Sequence, residues 1–375
     1  MTRAHDLPPA PLRIGGTPLH GVGRIRMYVC GITPYDVTHL GHAATFLWAD
    51  LAARVLRATG TRVSVTRNVT DVDEALLAAA AQRGEPYDEL AARERFAFDT
   101  TMSALGVRLP DSEPTARSTV GSVIALAAAL LEEQAAYVVG GSVYARTQSA
   151  AERAGLDLTT ATELAREFGD EPDDPAKDSP LDTAVWHRSR SGEVAWSSPW
   201  GPGRPGWHAQ CAAMVLGAYG AGVDLHAGGA DLRYPHHAVE ALIAETVTGV
   251  RPFARAWLRP GVVSAAGAKM AKSTGNLVLV DDLLREHSVA AIRMLCLCRP
   301  VAEEWSFEPG TLDDAAATVE GIRSAARRST PAGEGAVRAV DTALLDGLDV
   351  PRAVDIAVEA GGRAAQRLSD ILVLR

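Results

Sequence analysis

The sequence predicts an α/β protein: a parallel sheet split by a helical insertion, followed by a C-terminal helical bundle. Three observations carry this. Residues 24–70 read strand, helix, strand, and parallel neighbours need such a crossover. Further strand-like runs gather at about 181–280, and the stretch between is largely Ala-rich with helical spacing. From about Asp281 onward the chain again reads as helical. It then divides into an N-terminal extension (1–23), a split α/β domain (24–280) with an insertion at about 71–180, and a helical domain (281–375).

The elements follow in order. "RIRMYVC" (24–30) is a short apolar run that reads as a buried strand. "HAATFLWADLAARVLRATG" (42–60) has apolar residues at helical spacing and ends at Gly60, a good C-terminal cap. "TRVSVTRNVT" (61–70) alternates, as a strand does. From "DVDEALLAAAAQRG" to about Val139 the pattern is helical, and "GGSVYAR" (140–146) reads as a returning strand. "FGDEPDDPAKDSP" (168–180) reads as an exposed loop. "HAQCAAMVLGAYG" (208–220) is expected to be a helix and "VDLHAGG" (223–229) a strand. "PHHAVEALIAETVTG" (235–249) is a helix with Pro235 in its first turn and Gly249 at its end. "WLRPGVVSAAGAKMAKSTGN" (257–276) gives a strand and then a Gly-bounded loop.

Composition bounds the function. With 47% hydrophobic and 22% charged residues, this is ordinary soluble globular material. No apolar run reaches 18 residues, so no membrane span is expected. "MTRAHDLPPAPLRIGG" lacks the apolar centre of a secretory signal, so a cytoplasmic location is the default. A net charge of −9 speaks against nucleic-acid binding. Four cysteines, Cys30, Cys211, Cys296 and Cys298, are too few for a disulfide scaffold in 375 residues. Cys296 and Cys298 lie in a strongly apolar helix and read as core. There are 34 arginines but three lysines, Lys177, Lys269 and Lys272, and two of these fall in "KMAKS". Where Arg is the default cation, a lysine pair points to a task for a compact charge.

Three constellations carry chemistry. In "HLGH", His39 and His42 share a face if the helix has begun, and a helix N-terminus after a strand favours anions. Two histidines capping a turn are the simpler reading of these four residues alone. "KMAKS", between Gly267 and Gly275, puts two ammonium groups on a flexible loop suited to a polyphosphate. No G-x-x-x-x-G-K-[ST] loop and no G-x-G-x-x-G fingerprint offers another phosphate device. Third, Cys30, Cys211, His236 and Glu240 are a plausible zinc set, with His236 and Glu240 on one helix face. Spacing alone leaves His237 as an alternative ligand and leaves open that the thiols are core residues. There is no H-E-x-x-H.

Taken together, "MYVCGITPYDVTHLGHAATF", "NVTDVDEALL", "SPLDTAVW", "SPWGPGRPGWHAQC", "GGADLRYPHH" and "KMAKSTGNLVLV" resemble the class I cysteinyl-tRNA synthetases and, more closely, the related cysteine ligases of mycothiol biosynthesis. The six run in family order over about 24–300. The resemblance implies a class I aminoacyl-tRNA-synthetase-like Rossmann fold and an ATP-dependent, AMP-forming ligase, with Mg²⁺-ATP as substrate. It implies one Zn²⁺ per chain on Cys30, Cys211 and His236; Glu240 matches a fourth ligand of the synthetases but not of the mycothiol ligases. His39, His42, Lys269 and Lys272 would handle the phosphates. Cys30, Gly31, Ile32, Thr33, Thr45, Asn68, Val69, Thr70, Trp207, Gly229, Ala230, Asp231 and Val263 would contact the cysteinyl-adenylate. Zinc suits that substrate: a size-judging pocket separates cysteine from serine poorly, whereas a soft thiolate on zinc is chemically distinct from a hydroxyl.

The expected partners are L-cysteine, ATP and a small amine acceptor, glucosaminyl-inositol by the resemblance, with neither tRNA nor membrane. About 100 residues follow "KMAKS", short of a bundle plus an anticodon domain, and residues 274–375 carry 11 Arg and no Lys against 16 Asp and Glu. A ligase serving another amine and a truncated synthetase remain as alternatives; a non-catalytic binding protein would not need both histidines and both lysines. Asp231 is a candidate base for amide formation, or simply a partner of the cysteine ammonium. Ala271 stands where the lysine loop usually has Ser, "HAGGADL" where "HGGGSDL" is usual, "WHAQC" where "WHxEC" is usual, and "EFGDEP" only partly matches "ERGGDP".

Overall fold

The structure, a computed structural model, describes residues 10–35, 37–270, 275–329 and 333–374. It opens with a hairpin, β1 (Leu12–Ile14) and β2 (Thr17–Leu19), around Gly15 and Gly16, which both take positive φ as a tight hairpin turn requires. The βαβ unit expected at 24–70 is present as β3 (Arg24–Ile32), α1 (Leu40–Ala58) and β4 (Arg62–Val69). The insertion holds α2 (Glu74–Arg83), α3 (Tyr87–Ala104), α4 (Val120–Glu132), β5 (Ala136–Val139), β6 (Ser142–Ala145), α5 (Gln148–Ala154), α6 (Leu158–Glu167), β7 (Thr183–Arg188) and β8 (Gly203–Pro205). The second half of the α/β domain is α7 (Trp207–Tyr219), β9 (Val223–Ala227), α8 (His236–Thr248), β10 (Ala254–Leu258), β11 (Val263–Ala265) and β12 (Ala268–Lys269). The C-terminal part is α9 (Val280–Glu286), α10 (Val289–Leu297), β13 (Trp305–Phe307), α11 (Thr311–Arg327), α12 (Glu334–Leu345), α13 (Val350–Ala360) and α14 (Gly362–Leu372).

The central sheet has the order β10–β9–β3–β4, every pair parallel. Strand β3 is central: Tyr28 faces Thr66 on one side and His226 on the other. The sequence halves therefore do join in one sheet. The insertion differs from its expectation. Residues 136–139 form a strand rather than ending a helix, and β7 pairs antiparallel with β6 of the β5–β6 hairpin and β8 with β7, so the inserted sheet runs past residue 180 to Pro205. Short apolar runs such as "TAVW" fit a buried strand of either sheet, so periodicity could not assign it. A small sheet, β12–β11–β13, carries the entry to the lysine loop.

Two cores stabilise this arrangement. Helix α1 is buried along most of its length and joins β3 to the C-terminal helices in the larger core. A second core joins the inserted sheet to α7 and α8 through Val185, Trp186, Ala212 and Ile243. Cys296 packs in the larger core, as expected, with burial pushing its thiol up to about 12. Arg293 on α10 is fully buried: its guanidinium donates to the Leu372 carbonyl at 2.7 Å, the Leu105 carbonyl at 2.9 Å and Asp50 of α1 at 3.4 Å. It pins the bundle to the sheet domain. Truncation leaves a buried carboxylate and two carbonyls short of a donor, so Arg293→Ala is expected to cost about 3 kcal/mol. Denaturant unfolding of both proteins measures this; a loss below about 1 kcal/mol would refute the anchoring role.

Candidate functional site

The chemistry-bearing residues collect at the carboxyl ends of the parallel strands, where α/β sheets open a crevice. The cavity there is about 930 Å³ and is lined by Cys30, Gly31, His39, His42, Thr45, Gly229, Ala230, Asp231, Val263 and Lys269 among the expected residues. Gly31 is demanded by the close approach of β3 to β4: a Cβ there would lie 1.7 Å from the Asn68 carbonyl oxygen. Ile32, Thr33, Val69 and Thr70 do not line the cavity. They hold the strand ends together, Ile32 opposite Val69 and the two threonine hydroxyls 2.7 Å apart.

The histidine end of the cavity is built on the start of α1. His39 caps the helix, its Nδ1 accepting the Gly41 N–H at 3.1 Å. His42 stacks on it with ring centroids 3.8 Å apart. Burial, then the His39 ring, pushes His42 down to about 3, so at neutral pH it is an uncharged imidazole. This turn is stitched to the segment after the lysine loop: Leu40 N–H donates to the Val278 carbonyl at 2.8 Å, and Val280 N–H to the Thr38 carbonyl at 3.2 Å. Lys269 enters the cavity with Nζ 3.1 Å from Asp231 and 3.9 Å from Glu167. Asn276 donates from Nδ2 to the carbonyls of Ala265, Ala268 and Lys269, clasping the base of the loop. Sequence reasoning missed this residue, and no spacing signal marks it. Lys272 and Ala271 lie outside the described residues.

The thiol end meets it at Cys30. Cys30, Cys211 and His236 are all buried, with donor atoms within 4.8 Å of one another. They come from the end of β3, the second turn of α7 and the first residue of α8. Cys211 and His236 are held from behind. Asn68 Nδ2 donates to Cys211 Sγ at 3.6 Å while its Oδ1 accepts the Gly31 N–H at 2.9 Å. His236 Nδ1 and His208 Nδ1 share a hydrogen bond at 2.8 Å, and Trp207 stacks on His236 at 4.3 Å. Burial pushes His208 down to about 4 and holds His236 well below the usual imidazole range, so both are neutral near pH 7. The hydrogen bond to Cys211, then burial, holds the Cys30 thiol well above its usual range; a metal that binds here must displace protons.

Glu240 takes a different place. It is fully buried, with carboxylate oxygens 3.1 and 3.2 Å from His226 Nε2, and groups with Cys30, His226 and His237. It does not group with Cys211 and His236. Helical spacing put Glu240 on the face of His236 but could not reveal His226, which arrives on β9. Trp207 lines a neighbouring cleft rather than the 930 Å³ cavity.

Residues 18–317 match the family described as tRNA synthetases class I (C) catalytic domain. The chain is similar to an L-cysteine:1D-myo-inositol 2-amino-2-deoxy-alpha-D-glucopyranoside ligase of Mycolicibacterium vanbaalenii, 42% identical over 88% of this chain and 79% of the relative. It is 40% identical to the ligase of that name from Thermobispora bispora, over 92% of this chain and 88% of the relative. Among solved structures, Mycobacterium tuberculosis methionyl-tRNA synthetase bound to methionyl-adenylate superposes with a TM-score of 0.62 at 17% identity, covering 92% of this chain and 82% of the other. That likeness concerns the fold.

The His226–Glu240 pair yields a stability test. Glu240→Gln retains an acceptor for His226 and is expected to stay within about 1 kcal/mol of the unaltered protein, whereas Glu240→Ala, which strands the buried imidazole, should lose about 1–3 kcal/mol. Urea unfolding of both variants decides; equal losses would mean that the pair is not satisfied in solution.

Proposed function

The chain belongs to the family of class I (C) tRNA-synthetase catalytic domains, and from that premise we propose that it is an ATP-dependent, AMP-forming cysteine ligase that joins L-cysteine to the amine of glucosaminyl-inositol. One observation carries the reading: a single cavity is lined both by Cys30 of the thiol cluster and by His39, His42 and Lys269. The acceptor follows the relatives, which are named for it. The acidic C-terminal segment, with 11 Arg against 16 Asp and Glu, offers tRNA little. No helix among the described residues is long and apolar enough to cross a membrane.

The donor set fits zinc: two thiols and a neutral imidazole, already buried within 4.8 Å of one another and braced by Asn68 and His208. Zinc bound to Cys30, Cys211 and His236 supplies a soft Lewis acid that favours a thiolate over a hydroxyl, and so cysteine over serine. The protein's own groups do the rest. The cysteine carboxylate oxygen attacks the α-phosphorus of Mg²⁺-ATP, and pyrophosphate leaves with the bonding electron pair. His39 and His42 present N–H donors to the phosphates at the α1 N-terminus. Lys269, with Lys272, neutralises charge on the departing pyrophosphate, for which Lys269 exchanges its Asp231 contact for phosphate oxygens. Thr45, Gly229, Ala230 and Val263 enclose the adenylate, Asn68 holds Gly31 and Cys211 behind it, and Trp207 covers the cysteine side. Then the acceptor nitrogen attacks the carbonyl carbon, the bond to AMP breaks, AMP leaves with the electron pair, and the nitrogen gives its proton to Asp231 or water.

Cysteine-dependent ATP–pyrophosphate exchange without tRNA tests the first step; no exchange by zinc-loaded protein would sink it. Lys269→Ala should lower kcat for exchange by about 10²–10³ with zinc content unchanged. Zinc analysis separates the ligands: Cys211→Ala should lose the metal and Glu240→Gln should keep it, whereas full zinc in Cys211→Ala would remove the assigned site. A panel of amines that includes glucosaminyl-inositol and tRNA then identifies the acceptor.

A further inference from the structure

A second cleft, of about 810 Å³ with its open mouth included, lies beside the first; of the residues given a part in cysteine activation above, it shares Trp207. Its walls come from the start of α2, the loop after α6, strands β7 and β8, and the start of α7. The two cavities share a wall: Phe168 lines the cleft, and Lys269 Nζ, which lines the ATP cavity, sits 5.3 Å over its ring. Trp207 and His208 line the cleft and also touch His236, by ring stacking and by hydrogen bond. A molecule in this cleft therefore lies against the thiol end of the activation site.

The lining mixes donors and acceptors. Arg204 and His187 stand with Asp73 and Asp170. Asp170 is fixed by Lys177, whose Nζ is 2.5 Å from it and whose side chain is 2% exposed, so the third lysine of the sequence braces this wall. A separate observation points to a ligand. Gln210 is 1% exposed and lines the cleft. Its Nε2 donates to the carbonyls of Val72 at 2.6 Å and Pro205 at 3.0 Å, which leaves its buried Oε1 with no donor among the described residues. Such an orphan costs about 1–3 kcal/mol until a donor arrives. Carboxylates, a guanidinium, an amide oxygen and an apolar tryptophan wall together suit a molecule bearing an amine and many hydroxyls, each hydroxyl both donor and acceptor.

We infer that this cleft is the acceptor site, binding an amino sugar joined to a polyol with the amine toward Trp207 and His236. The inference rests on the proposed ligase reading and adds to it the place and chemistry of acceptor recognition. Ala75, exposed on the cleft lining at the first turn of α2, gives a plug that disturbs no buried group. Ala75→Trp is expected to raise the KM for glucosaminyl-inositol in overall ligation at least tenfold. Its cysteine-dependent ATP–pyrophosphate exchange should remain within about twofold of the unaltered protein, since exchange needs no acceptor. An unchanged acceptor KM overturns the inference and leaves the ligase reading standing. Absence of exchange in the unaltered protein counts against the ligase reading instead. Calorimetric binding of glucosaminyl-inositol to the unaltered and Ala75→Trp proteins then decides the cleft on its own: weakened binding in the variant upholds it, and equal or absent binding in both overturns it.

Discussion

The parallel pairing of β3 with β9 is the constraint on which the site depends. Met27, Tyr28 and Val29 face Leu225, His226 and Ala227, and this register sets Cys30 beside the turn that carries Gly228, Gly229 and Asp231. Arg26 and Asp224, 198 positions apart, close the start of the pairing with a bond at 3.1 Å. Loop-closure entropy rises slowly with length, about 0.6 kcal/mol for each doubling, so a large insertion between the two strands adds little to the cost of joining them. Slippage by one residue would put His226 and Tyr28, now paired on one face, on opposite faces of the sheet. The sheet thus fixes the thiol end, while the stitching of Leu40 to Val278 and of Val280 to Thr38 fixes the His39–His42 turn to the segment beyond the lysine loop.

Burying so many ligand-type groups in one place sets a second condition. Cys30, Cys211, His226, His236, His237 and Glu240 are all buried, and His237 has no hydrogen-bond partner at either ring nitrogen among the described residues. Dry polar groups destabilise a fold unless they are paired. Pairing here is arranged in tiers. His208 braces His236, Asn68 braces Cys211 while also holding Gly31, and Glu240 occupies His226. Trp207 and Trp257 cover the rings of His236, His226 and His237. Such bracing fixes ring orientation before any ligand arrives, which is what a selective metal or thiol pocket needs.

The sequence made much of this legible because chemistry and spacing coincide. "HLGH" is local, so His39 and His42 had to meet once α1 began there. "KMAKS" kept two of three lysines together where arginine is otherwise used, although the described residues carry that reading only as far as Lys269. Cys30, Cys211 and His236 came from a resemblance in ordered motifs, and the sheet brings them together. What sequence could not give is through-space. Glu240 and His236 share a helix face by spacing, but which of them met a histidine from β9 depended on the register of a sheet. Strands β7 and β8 lie beyond residue 180, in the stretch expected to complete the parallel sheet, yet join the inserted one, because apolar runs of four to six residues do not encode their partner. Nothing along the chain joined Lys177 to Asp170 across "DEPDDPA" or brought Trp207 against both His236 and Phe168.

One departure in the sequence acquires a physical reason. Gln210 stands in "WHAQC" where the resembling families usually carry a glutamate. The side chain sits between the carbonyl oxygens of Val72 and Pro205, and both need a donor. An amide supplies two N–H groups, whereas an ionised carboxylate would oppose two carbonyl oxygens in a buried setting, a repulsive arrangement that favours either protonation or a shifted backbone. The backbone that carries Asp73 and Pro205 is therefore fitted to a neutral residue at this position. The same substitution leaves a single acceptor oxygen, on the branch away from those two carbonyls. A site that is neutral there discriminates by hydrogen-bond geometry rather than by charge, a basis on which a polyhydroxylated amine can be told from a simple alkylamine, since a buried polar group left unpaired by the wrong ligand is penalised in full.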